Sequence, residues 1–251
     1  MENSRFGLVR EYLLTRMGIT ELNDKLTLIE SERRLRCELS YGYVHLIWIT
    51  GFDDGRIAVS LPPGIANDVK TYIRDNAVYN DIASKSFMSP LHELADRETK
   101  RLLGKNSCKC FTDLVFACDS ESIKPPNPGV TAQRITDTRY ECNADIWFPD
   151  HCLPDGVVYG VLENNKIVSL AYAHKTGEYQ DTVADVGTVT SKEFRKKGYA
   201  RECVNSVARH FIENKGESVY KCSPTNTASV STALSAGYIT YGKSLIFSVS
   251  S

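Results

Sequence analysis

Between residues 192 and 201 the chain sets Lys192, Arg195, Lys196, Lys197 and Arg201 against one acid, Glu193, around Gly198. Cations at this density suit an anionic ligand if backbone can approach it closely. Gly198 allows that approach because it has no Cβ. The residues that follow read as a helix start, with unpaired N–H groups and the positive end of the macrodipole. A diphosphate would fit such a site. The plain alternative is a solvated basic turn leading into a surface helix.

The elements around this turn are legible. Asp185 to Thr190 is rich in β-branched residues and reads as a strand. Cys203, Val204, Val207, Ala208, Phe211 and Ile212 recur at a period of about 3.6, so they share one helix face. Gly216 after Lys215 stops that helix. Ser218 to Ser223 is the next strand, and a crossover of this length predicts that it lies parallel to the first.

Arg195-x-x-Gly198-x-Ala200, between a strand and an amphipathic helix, resembles the coenzyme A signature of the GNAT N-acetyltransferases, Gln/Arg-x-x-Gly-x-Gly/Ala. A second segment is similar to the same family: Cys222-x-x-x-Asn226-x-x-Ser229, running on to Ala236-Gly237-Tyr238. The likeness covers about Val130 to the end. It is nearest to the zwittermicin-resistance-like branch, whose members carry an extra N-terminal region.

The resemblance implies a function and a set of roles. An acetyl group would move from acetyl-CoA to a primary amine, expected to belong to a small molecule, with no metal. Arg195, Lys196, Lys197, Gly198, Tyr199 and Ala200 would hold the phosphates, with Tyr199 packing rather than reacting. The strand edge Thr188, Val189 and Thr190 would pair with pantetheine, and a backbone N–H near Val189 would polarise the thioester carbonyl, where negative charge develops. Asn226 would contact the pantetheine arm; without function it would simply cap a helix. A lysine-like amine arrives protonated at neutral pH, so a carboxylate base is needed. Asp185 is the first candidate and Glu163 the second, against the plain readings of a strand-end acid and a hairpin residue. Many relatives place a tyrosine, as general acid, four residues before the glycine of the last helix; that position here is Ala233. Cys222 and Ser229 are the stand-ins. The gap also admits a non-catalytic acyl-CoA binder or sensor, and a protein N-acetyltransferase is a further alternative.

Upstream of the turn, Val157 to Glu163 and Lys166 to His174 read as strands joined by an Asn164-Asn165 hairpin turn. Val130 to Ile135 reads as a strand and 136–146 as a helix, with an irregular piece at Phe148-Pro149 and Pro154-Asp155-Gly156. A helix is expected after Asn226 or Thr225, closed by Gly237. In the first half, residues 5–17, 65–76 and 90–103 read as helices, the last with Ser89 as N-cap and Pro90 in its first turn. Lys25 to Glu30, Tyr43 to Thr50, Arg56 to Leu61 and Lys109 to Cys118 read as strands, with a turn at Asp53-Asp54-Gly55. His45 reads as a satisfied core histidine. The fold class is therefore α/β, in the mixed α+β sense. The proline-rich 120–129 places a boundary between an N-terminal α/β domain, 1–122, conceivably a degenerate acetyltransferase-like half, and a GNAT-like domain, 123–251. The first half would shape the acceptor pocket or a subunit interface, with a homodimer left open.

The bulk numbers narrow the classes. With 251 residues and a net charge of −1, the chain can bury a core and carries no global field towards nucleic acid or acidic membrane. No spanning run and no leader-like apolar segment is visible, which reads as cytoplasmic. The eight cysteines form no paired CxxC knuckle, so they read as free thiols, with zinc or a disulfide as the alternative and no metal in the leading reading.

Overall fold

The computed structural model describes residues 5–22, 24–38, 42–77, 81–137, 140–146 and 156–250. The irregular pieces expected at Phe148-Pro149 and Pro154-Asp155 lie outside the described residues. The chain forms two compact units: Met1–Tyr12 with Phe116–Thr240, and Leu13–Val115 with Tyr241–Ser251. Each combines helices with a sheet of mixed strand direction, as the α/β reading requires. No helix among the described residues is long and apolar enough to cross a membrane.

The second unit is built on β3 (Tyr43–Phe52), which is apolar along its length. It pairs antiparallel with β4 (Ile57–Leu61) on one side and with β12 (Ile239–Ser250) on the other. Strand β1 (Leu26–Glu30) adds to β4 in parallel, and β2 (Cys37–Glu38) pairs with β3. His45 Nδ1 lies 2.7 Å from Ser248 Oγ, a satisfied histidine as expected. Two helices, α2 (Asn67–Asn76) and α3 (Lys85–Leu103), bury Val69, Ile73, Phe87, Leu91 and Ala95 in a core with Leu46, Ile47, Val59 and Leu245.

Helix α3 corrects the expected start at Ser89-Pro90. Ser84 is the cap, its Oγ accepting from Phe87 N at 3.3 Å, and Pro90 lies inside the helix. Proline has no N–H to give to Ser86 C=O one turn back. Tyr72 Oη of α2 lies 3.4 Å from Ser86 O and 2.9 Å from Phe87 O, so it serves the carbonyls of that turn.

The first unit contains the strand order β11-β10-β9-β8-β6. These are β6 (Gln133–Arg134), β8 (Val158–Glu163), β9 (Lys166–His174), β10 (Val183–Thr190) and β11 (Glu217–Cys222). The β8–β9 turn uses Asn164 and Asn165, both at positive φ, as the hairpin requires. Helix α4 (Tyr199–Ile212) follows β10, and α5 (Thr227–Ala236) follows β11. Among the described residues of 136–146 the expected helix is not formed: β7 (Glu141–Cys142) instead pairs in parallel with β9, and Asn143 N donates to Ile167 O. Strand pairing outweighs the local helical pattern there. The proline-rich stretch lies extended along α4. Lys124 O accepts from Asn205 and Arg209, Pro125 O from Arg201, and Asn127 N donates to the buried Glu202 carboxylate at 2.7 Å.

Candidate functional site: the flank of β10 and the start of α4

Strand β10 is paired differently on its two sides. Against β9 it runs antiparallel from Asp185–His174 to Thr190–Ser169. Against β11 the parallel ladder runs from Val183–Glu217 and ends at Val186–Tyr220. Residues 187–190 are therefore paired on one flank only, and the strands part where the expected pantetheine site lies. The parity of the ladder decides which amides face the opening. Ser191 N donates to Val168 O at 2.9 Å, which makes that pair a hydrogen-bonded one. Alternation then turns the N–H and C=O of Val189 and Gly187 towards β9, and those of Thr188 and Thr190 towards the open flank. This corrects the expectation for Val189: its N–H belongs to the β9 ladder, and the donors on the open side are Thr188 and Thr190.

The turn before α4 has the geometry of an anion cradle. Lys196 and Gly198 both have positive φ, 64° and 81°. Gly198 is the N-cap without any side-chain cap, and the first backbone bond back to it comes from Glu202 N, at 3.1 Å. The N–H groups of Tyr199, Ala200 and Arg201 precede that bond and have no acceptor within the helix. None of Lys192, Arg195, Lys196, Lys197 or Arg201 is in an ion pair among the described residues, and the buried Arg201 Nε has no hydrogen-bond partner. Arg195 Nε donates to Thr190 O at 3.2 Å, tying the loop to the open end of β10. Lys197 Nζ lies 4.7 Å from the Phe194 ring centre. These residues fit a diphosphate. Gly198 is also demanded by a neighbour: a Cβ there would stand 2.9 Å from Asn127 Nδ2.

The two faces of β10 differ. Thr190 Oγ1 meets Ser169 Oγ at 2.7 Å, and Cys203 of α4 packs on Ser169, so α4 covers the face of Thr188 and Thr190. Burial pushes the Cys203 thiol up to about 12, so it stays protonated. On the other face lie Asp185, Gly187 and Val189. The Tyr172 ring crosses Gly187 so closely that a Cβ there would fall 2.5 Å from Cζ.

Both proposed bases are engaged in hydrogen bonds. Asp185 is 2 % exposed, and its Oδ2 accepts from Tyr12 Oη and Lys221 Nζ, each at 2.7 Å. Two donors, one of them cationic, hold the carboxylate in place. The group anchors β10. Glu163 accepts from the Tyr199 hydroxyl at the start of α4, on the side of the cations, and this bond with burial pushes the Tyr199 phenol up. That pairing removes Glu163 from the flank where an amine would be deprotonated. Asn226 caps α5, its Oδ1 accepting from Ser229 N at 3.2 Å. Ala233 is fully buried.

The sequence pattern did not single out Tyr12, Lys221 or Tyr220. Tyr220 is the last β11 residue in the parallel ladder, where the strands part, and is 3 % exposed. Burial pushes its phenol above the ordinary value, and the nearby Ser229 side chain partly offsets this. Strand alternation puts Tyr220 on the α5 side of β11 and Lys221 on the Asp185 side; that alternation was the available signal.

Residues 124–238 match the model of the acetyltransferase (GNAT) family. That segment holds β6 to β11, α4 and α5, and the match supports acyl transfer as its class of chemistry. No curated protein matches the chain. Among solved structures, the chain is similar to a GNAT-family acetyltransferase from Colwellia psychrerythraea, with 14% identity over 80% of this chain and 81% of that one, at a TM-score of 0.46. It is also similar to a putative GNAT acetyltransferase from Novosphingobium aromaticivorans DSM 12444, with 16% identity over 57% of this chain, at a TM-score of 0.45; the likeness spans 66% of that chain. A GCN5-related N-acetyltransferase-like protein from Streptococcus suis 89/1591 has 15% identity over 64% and 69%, at a TM-score of 0.43.

Proposed function

We propose that the chain is an N-acetyltransferase that moves an acetyl group from acetyl-CoA to the primary amine of a small molecule. The observation that carries this reading is the coincidence of two features. The β10–β11 ladder ends at Val186–Tyr220, and the loop tied by Arg195 to the open end of β10 leads into an α4 start with positive φ at Lys196 and Gly198. The diphosphate takes the unpaired amides of α4 and the cations around them. The pantetheine amides pair with Thr188 and Thr190. One of those N–H groups faces the thioester oxygen, where it favours the charge that develops in transfer. The amine approaches on the face of Asp185, Gly187 and Val189, since α4 covers the other, and with both carboxylates engaged it loses its proton to water at the open flank. Tyr220 takes the part left open at Ala233: a neutral buried phenol at the point where the strands part gives its proton to the departing thiolate. In this reading the chain stands beside the zwittermicin-resistance-like branch, with residues 1–122 as its extra N-terminal region.

The test is transfer of a labelled acetyl group from acetyl-CoA to a panel of amines, with calorimetry for coenzyme binding. Transfer together with binding is the expected result; neither at any pH overturns the proposal. Ala233 in place of a tyrosine, with both carboxylates engaged, favours a second reading, an acyl-CoA sensor. Tight coenzyme binding without turnover over the whole panel selects it.

A further inference from the structure

His92, Asp96 and Cys108 converge in the second unit, outside everything assigned above. His92 and Asp96 are four residues apart on α3, so they share one helix face. Cys108 stands just before β5 (Lys109–Cys118), after the helix has ended at the left-handed Gly104. The ligand-type atoms of the three side chains lie within 4.8 Å of one another. Cys108 Sγ is 3.3 Å from Asp96 Oδ1, and His92 Nε2 is 3.8 Å from the same oxygen.

These distances can be compared with a metal polyhedron. Zinc bonds of about 2.0 Å to nitrogen or oxygen and about 2.3 Å to sulfur, at tetrahedral angles, give edges of about 3.3–3.6 Å. The observed edges to Asp96 are 3.3 and 3.8 Å and the third lies within 4.8 Å, so side-chain shifts on the order of 1 Å or less close the three donors on an ion. The donors are imidazole, thiolate and carboxylate, a set that favours zinc over magnesium or calcium. His92 and Asp96 are half-buried while Cys108 is buried, which leaves a solvent path and an open fourth position for water.

We propose that His92, Asp96 and Cys108 form a binding site for a divalent cation of the zinc class, bridging α3 to the start of β5. Binding replaces the thiol proton of Cys108 with the metal and takes neutral His92 through Nε2, so one proton is released per ion. The Nε2 contact with Cys108 O, 3.1 Å, gives way to the metal bond. Without an ion, Asp96 accepts from Cys108 N at 2.8 Å and so holds the strand start in place.

The experiment titrates Co2+ into the full chain after removal of metals by chelation. The expected result is a thiolate-to-cobalt charge-transfer band at one equivalent, displaced by Zn2+, and a melting temperature that rises with Zn2+ concentration. His92→Ala, at a half-buried position, should keep its far-UV circular dichroism and weaken binding by more than about 100-fold, beyond the cost of losing an outer partner alone. Cys108→Ala should abolish the band, whereas Cys110→Ala should retain it. Absence of the band in the unaltered chain overturns the proposal. So does a band that survives in folded His92→Ala, or one lost with Cys110 and kept without Cys108.

Discussion

The Asp185 carboxylate of β10 and the Lys221 ammonium of β11 meet at 2.7 Å beside the last paired rungs of the parallel ladder. The Tyr12 phenol bonds the same carboxylate oxygen, and its ring lies 5.9 Å from Lys221 Nζ. A charge pair placed here fixes how far β10 and β11 stay together before they part. Lys221→Met removes the ammonium from the 2 % exposed Asp185 carboxylate, which keeps its bond from Tyr12 Oη. The expected cost is about 3 kcal/mol in urea unfolding. Adding Asp185→Asn should recover part of it in a double-mutant cycle. Equal and additive losses would mean that the pair is not coupled.

Gly198 combines a φ of 81° with a Cβ position 2.9 Å from Asn127 Nδ2. Gly198→Val must strain the backbone, by about 1–3 kcal/mol, and push the proline-rich segment off α4. Coenzyme A affinity by calorimetry should fall by about 10-fold or more. Unaltered affinity would place the diphosphate elsewhere.

Tyr220→Phe removes one hydroxyl and keeps the ring against Tyr238. Under the proposed function, kcat should fall by about 100-fold while the KM for acetyl-CoA holds. A stability change alone, with turnover intact, would return the phenol to a packing role with Ser229.

Asn226 separates capping from ligand contact. Asn226→Asp retains an acceptor for Ser229 N, whereas Asn226→Ala removes it and should cost about 1 kcal/mol. If the residue only caps, Asn226→Asp binds coenzyme A as the unaltered chain does; a loss confined to binding assigns it to the pantetheine arm.

Asp119 makes acid stability testable. Burial raises its pKa, but bonds from Arg5 and from Ser122 outweigh burial and hold it at about 2. Its folded value lies below the unfolded value of about 3.9. The stabilisation is therefore fully present above about pH 4 and is lost as pH falls through 2. Asp119→Asn should flatten the stability profile over that window, measured by urea midpoints, and leave the neutral-pH slope unchanged.

The amino-acid sequence by itself determined what short-range rules decide. The β-branched run into β10, the 3.6-residue stripe of α4, the Asn164-Asn165 turn and Gly198 among its cations depend on residues within a few positions of one another. Periodicity and turn chemistry therefore place them. Only the tertiary structure decided the rest. Tyr12 reaches Asp185 across 173 positions, and Tyr72 of another helix comes to the α3 turn that precedes Pro90. Residues 141–142 pair with β9 although their local pattern reads as helix. Ladder parity, not composition, turns Thr188 and Thr190 rather than Val189 towards the opening. Long-range pairing chooses among alternatives that are locally equivalent, and the energies that choose belong to partners distant in sequence.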